Sequence, residues 1–156
     1  MKKLLSIILA VTVIFAFASC TKKEPEATVD IGTLKNTIIE NLQLEDYLEI
    51  QTENLCELYN IDPADVAESV CVTTLDGTFP DEVIIIKAAN GDAKLRITEK
   101  LNSHLDEVKV QSQNYDAENY ALAQECKIIE NGDYLALFIS ANHVQMEQIF
   151  IETFNK

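Results

Sequence analysis

Glycine is scarce, four residues in 156, and histidine scarcer, at two. So little glycine leaves no glycine-rich phosphate loop. Two histidines, His104 and His143, leave little for metal ligation or general base chemistry. Serine-nucleophile signatures are missing as well. There is no Gly-x-Ser-x-Gly, and no Ser-x-x-Lys beyond Cys20. Basic residues are few: 12 Lys and Arg stand against 26 Asp and Glu, a formal charge of −14. Nucleic acid and anionic lipid need basic patches, so both are disfavoured as direct partners. The charge suits cationic partners or loosely held divalent ions, but a solvated acidic surface that keeps an exported domain dispersed is the simpler reading. Cysteine occurs four times, at Cys20, Cys56, Cys71 and Cys126, never as Cys-x-x-Cys. Redox and zinc chemistry therefore lack their usual spacing. Leaving out Cys20, three is an odd number, which rules out a complete disulfide framework within one chain. A Cys56–Cys71 bridge is open to an exported chain, and buried free thiols are the favoured expectation.

What is present begins at the start. Lys2 and Lys3 precede an apolar run from Leu4 to Phe17, and Ala18 and Ser19 lead into Cys20. A basic start, a short apolar segment and small residues make a secretory signal. The run is fourteen residues, short of the about 17–25 that span a bilayer. Phe17-Ala18-Ser19-Cys20 resembles the bacterial lipobox, with Phe17 where Leu is usual. The resemblance implies a diacylglyceryl group on the Cys20 thiol and cleavage just before it. Residues 1–19 are thus expected to be a lipoprotein signal peptide, 20–30 the lipidated cysteine and a polar tether, and 31–156 a single domain. Losing 19 of 156 residues leaves 137, and losing Lys2 and Lys3 moves the charge from −14 to −16. That length makes one domain with a real core, but not the two lobes of a solute receptor.

Leu34, Ile38, Ile39 and Leu42 recur at helical spacing behind Asp30, a plausible cap. A second helical piece is expected over 52–59, and one helical turn over 64–69 after Asp62-Pro63. Val70 to Thr74 and the unbroken run Val83 to Ile86 read as strands, the latter covered on both faces. Ile97, Leu101, Leu105 and Val108 lie on one face of a helix over 93–110. Residues 111–123 are expected to be a long loop with at most a turn of helix. Strands over 126–130 and 134–140 meet at Asn131-Gly132, a type I′ hairpin signal. A last helix follows Asn142, with Gln145 in capping-box position. Residues 81–90 and 133–142 share letters at an offset of 52. The expected class is α+β: amino-terminal helices, then two strand–strand–helix units forming a four-stranded antiparallel sheet with helices on one face.

Leu58-Tyr59-Asn60-Ile61-Asp62, Asp81 to Lys87, Gly132-Asp133-Tyr134 and Tyr120 carry a further likeness. On these residues the chain resembles the small Firmicutes lipoproteins of the domain of unknown function family numbered 4358, over about 55–154. Members typically have Gly-Asn-Tyr where this chain has Gly132-Asp133-Tyr134. The resemblance implies an exported lipoprotein of a Gram-positive anaerobe and no particular activity.

No catalytic set, cofactor site or metal site is legible. Asp76-Gly77 and Asn90-Gly91-Asp92 lack EF-hand spacing and read as turns. Asp81-Glu82 and Glu45-Asp46 are paired acids at the edges of elements, where solvation is the default. Tyr115, Tyr120 and Tyr134 are the candidate binding surface, since exposed tyrosines favour interfaces; buried, they would roof the core. The leading expectation is a non-catalytic binding or accessory module, held at the outer face of the cell membrane by the lipid on Cys20, with an unidentified protein or small-molecule partner. The alternatives are a small envelope hydrolase or metal-dependent enzyme using His104 and His143, or a redox-active thiol protein.

Overall fold

The computed structural model describes residues 29–75, 79, 81–114 and 116–155. The expected signal peptide, Cys20 and most of the tether lie outside the described residues, as does Tyr115. The elements run α1 (Ile31–Leu42), β1 (Tyr47–Ile50), α2 (Thr52–Leu58), a 3-10 turn (Pro63–Asp65), β2 (Val66–Thr74), β3 (Glu82–Ala88), α3 (Gly91–Gln113), α4 (Ala117–Glu125), β4 (Ile128–Asn131), β5 (Tyr134–Ile139) and α5 (His143–Phe154). The fold is mixed α and β.

One five-stranded sheet, wholly antiparallel, has the order β1-β2-β3-β5-β4. This corrects the expected four strands. The added strand, β1, pairs Tyr47 with Thr74 and Ile50 with Cys71 along the free edge of β2. It is four residues long and largely exposed, so it carries little of the alternation that marks a strand. Both edges of the sheet are four-residue strands, a length that offers little template to another chain.

Helices cover both faces, which corrects the expected one-sided cover. On one face, Ile84 and Ile86 of β3 and Leu135, Leu137 and Ile139 of β5 pack with Leu55 of α2 and Ile97, Leu101 and Leu105 of α3. On the other, Val83, Ile85, Ala136 and Phe138 pack with Leu34 and Ile38 of α1 and Met146 and Phe150 of α5. Each strand of the central pair thus feeds two cores by simple alternation. The run Val83 to Ile86 is fully buried along its length, as expected for a strand covered on both sides.

Local chemistry sets most boundaries. Asp30 accepts from the Thr33 amide at 3.0 Å and caps α1, Asn90 accepts from the Ala93 amide at 2.9 Å and caps α3, and Asp62 accepts from the Ala64 amide at 2.9 Å. The helical turn expected over 64–69 is confined to Pro63–Asp65, because β2 already begins at Val66. Asn142 makes no side-chain cap; its amide instead donates to Ser140 Oγ at 3.0 Å, so the expected capping box does not form. Asn131 pairs with Tyr134 inside the ladder. The hairpin loop is therefore Gly132-Asp133, and Gly132 alone has positive φ, at 56°. A type I′ turn needs two such residues, whereas positive φ at the first central position alone marks type II′.

The offset of 52 survives in element order: β3 and α3 begin at 82 and 91, β5 and α5 at 134 and 143. Packing is not repeated. Val83 and its counterpart Leu135 face different cores, and α3 and α5 cover opposite faces.

Candidate functional site

Helix α3 continues to Gln113, beyond its expected end. Helix α4 then lies beside α3. Asp116 starts α4 by accepting from the amides of Glu118 and Asn119 at 3.0 and 3.2 Å. The segment expected to be a loop is thus mostly helical. A helix of low amphipathicity such as Ala117–Glu125 gives a weak periodic signal, with Ala123 its one fully buried residue.

A cleft of about 690 Å³ lies between the second half of α3, the first turn of α4 and one end of the sheet. That volume lies within the range of small-molecule sites. Its apolar lining is Phe79, Val108 and Ile139, and its acidic lining is Glu82, Glu107 and Asp116. Glu82 opens β3 and Ile139 closes β5, directly paired in the ladder. His104, Glu107, Val108 and Gln111 fall on one stripe of α3 by helical spacing.

His104 is the best-placed titratable side chain of the cleft. Its Nε2 donates to Glu82 Oε2 at 2.7 Å, since an ionised carboxylate can only accept. Both side chains are mostly buried, at 18% and 17% exposed. The Tyr59 ring packs edge-on against the imidazole with centroids 4.6 Å apart, and Tyr59 Oη lies 3.9 Å from Cys71 Sγ. Burial raises the Tyr59 hydroxyl above its ordinary value, and the nearby Glu82 charge adds to this. Burial likewise pushes the Cys71 thiol up to about 12. These two groups stay neutral; the Tyr59 ring packs against His104 and its hydroxyl contacts the Cys71 thiol. The partnership of His104 and Glu82, 22 residues apart, left no local sign in the sequence. What was visible was the apolar face of α3, formed by Ile97, Leu101, Leu105 and Val108.

His143 sits elsewhere, at the first turn of α5. It is buried, with Nδ1 3.2 Å from Glu147 Oε1 and Nε2 3.7 Å from Glu125 Oε2. Lys127 Nζ reaches Glu147 Oε2 at 3.3 Å. The two histidines share no partner, and their helices cover opposite faces of the sheet. The two side chains therefore do not form one site. Among the described residues no three His, Cys, Asp or Glu side chains converge as a metal set.

The candidate tyrosine surface is not assembled from its described members. Tyr120 is half-buried on α4. Tyr134 is 3% exposed and lies on the opposite face, against Phe154 with centroids 4.9 Å apart. Its hydroxyl accepts from the Val29 amide at 3.2 Å and donates to the Val29 carbonyl at 3.3 Å. Tyr134 thus roofs the second core and pins the entry to α1.

Cys56, Cys71 and Cys126 are free, buried thiols on the first core, with no Cys56–Cys71 bridge. Burial raises all three above the ordinary thiol value. An alkylating reagent at pH 8 is expected to leave these three unmodified in the folded protein and to modify all of them in urea, read by intact mass. Rapid labelling of any of them without denaturant would restore the redox reading.

A second cavity, near Asn60 and Lys100, has an ion pair in its lining. Arg96 Nε and Nη2 donate to the two oxygens of Asp65 at 2.8 and 2.5 Å. The guanidinium's hydrogen bonds hold the Asp65 carboxyl below its usual value, burial opposes this, and the Arg96 charge assists. A lowered folded-state value stabilises above the unfolded carboxyl's range and is lost as pH falls through the folded value. Asp65→Asn is therefore expected to lower the urea midpoint at pH 7 and to narrow the gap from the parent below about pH 3.9. A constant gap at all pH values would show that the pair does not titrate with folding.

A family model for a domain of unknown function (DUF4358) matches residues 40–140, from the last turn of α1 to the end of the sheet. The match spans every strand, α3, α4 and the lining of the cleft, but leaves α5 and most of α1 outside. Searches of curated proteins and of solved structures gave no match. On a match covering well over half of its length, this chain belongs to the DUF4358 family.

Proposed function

We propose that this protein is an exported, lipid-anchored binding or accessory module, without catalysis of its own, at the outer face of a Gram-positive membrane of the Firmicutes type. The address rests on the basic start, the fourteen-residue apolar run and Phe17-Ala18-Ser19-Cys20. Among the described residues no helix is long and apolar enough to cross a membrane.

The observation that carries binding over catalysis is the cleft beside His104. It has the size and the mixed apolar and polar lining of a small-molecule site. Its histidine is already engaged by Glu82, and Ser112, the one hydroxyl among the described lining residues, donates to the Val108 carbonyl at 2.7 Å on the same helix. An enzyme built on His104 and His143 together finds no support in helices on opposite faces of the sheet. Protease added to intact cells is the test of the location. The protein is expected to be degraded while cytoplasmic markers survive; its protection in intact cells would contradict the proposal.

A further inference from the structure

The lining of the cleft also indicates which ligand it takes. Among the described lining residues, three carboxylates, Glu82, Glu107 and Asp116, are accompanied by no lysine or arginine. Two of them are already engaged. Glu82 accepts from His104, and Asp116 accepts from two amides and from the Asn119 side chain at 2.7 Å. Glu107 enters no ion pair or hydrogen bond with another described side chain, although the neighbouring Asp106 has Lys109 at 3.5 Å. Below this acidic rim lie Phe79, Val108 and Ile139, an apolar floor.

From this arrangement we infer that the cleft binds a small organic cation, an ammonium group carried on an apolar body. The ammonium would sit at Glu107, the one described carboxylate of the lining whose acceptor oxygens are unengaged, and the body would replace water over Phe79 and Val108. A bare divalent ion is the poorer fit, since no set of three ligating side chains converges among the described residues. A carboxylate or phosphate ligand would meet like charge with no cation in the lining to receive it. The inference rests on the reading of the protein as a binding module.

Three near-isosteric probes separate the possibilities: phenethylammonium, 2-phenylethanol and phenylacetate, titrated into the full chain and followed by amide NMR shifts. Phenethylammonium is expected to shift the amides of Val108, Gln111 and Ile139 and to bind about tenfold more tightly than the alcohol, the scale of one charge-assisted contact. Phenylacetate is expected to bind more weakly than either. Glu107→Gln, a substitution at an exposed helix position, should bring the ammonium and the alcohol to equal affinity, whereas Glu53→Gln on α2 should leave the tenfold preference in place. Equal binding of all three probes at the cleft would overturn the cation inference and leave the binding module standing. Absence of cleft shifts with every probe would overturn both.

Discussion

Phe150→Ala is expected to lower the free energy of unfolding by about 3–5 kcal/mol, the range for removing a buried phenylalanine. Phe150 is fully buried on α5. Its ring meets Phe154 at 4.9 Å and Phe138 of β5 at 6.4 Å. Truncation would leave a void between α5, α1 and the sheet that these stiff neighbours cannot fill. A domain of this size is stable by only about 5–15 kcal/mol, so one side chain accounts for a large part of the margin. The neighbouring Ile151 is 47% exposed, and Ile151→Ala is expected to stay within about 0.5–1 kcal/mol of the parent. Urea unfolding of both variants measures the contrast. Similar midpoints would mean that α5 does not close the second core. The result bears on the family as well, because α5 lies beyond the matched residues 40–140.

How far the fold could be read in advance depended on how much each segment decides locally. Helix α1 was legible because its buried positions, Leu34, Ile38 and Ile39, recur at helical spacing and Asp30 caps it by its own side chain. Strand β1 was not, because Tyr47, Leu48 and Glu49 are exposed and only the edge of β2 makes them a strand. The sidedness of the sheet was written in the chain and underused. Four consecutive apolar β-branched residues, Val83 to Ile86, demand cover on both faces, and that demand already contradicts a sheet with helices on one side. The hairpin shows a subtler limit. Asn131-Gly132 announced the turn, but the pairing of Asn131 with Tyr134 moved the loop on by one residue.

The candidate site was less legible, for a different reason. In the sequence His104 is one of two histidines, and Glu82 is one of a pair of acids at the edge of an element. Nothing local joins them, since the contact exists only because α3 crosses the start of β3. The tyrosines illustrate the reverse case. Tyr120 and Tyr134 are near in sequence, yet the alternation of β5 sends Tyr134 to the second core, while Tyr120 stays half-buried on α4, whose Leu122 packs against the first. Proximity along the chain was therefore a poor guide to a shared surface, whereas helical spacing on α3 was a good one.

The anchor should respond to a single substitution in an all-or-none way. A diacylglyceryl group requires the Cys20 sulfur, and the cut before that residue follows lipidation in signals of this kind. On the proposed anchoring, Cys20→Ala is expected to remove the attachment atom, and with it both the chains and the cleavage. Each buried acyl methylene contributes about 0.8 kcal/mol, and one chain alone binds a membrane only reversibly. Losing the lipid therefore removes the firm hold that this account gives the mature protein. Retention of the uncut precursor by its apolar run Leu4 to Phe17 would still be distinguishable by mass, since it keeps residues 1–19. The decisive measurement is metabolic labelling with a palmitate analogue, read together with the intact mass. The account predicts a labelled, shortened protein for the parent and an unlabelled one for Cys20→Ala; an unlabelled parent, or a label that survives the substitution, would contradict it.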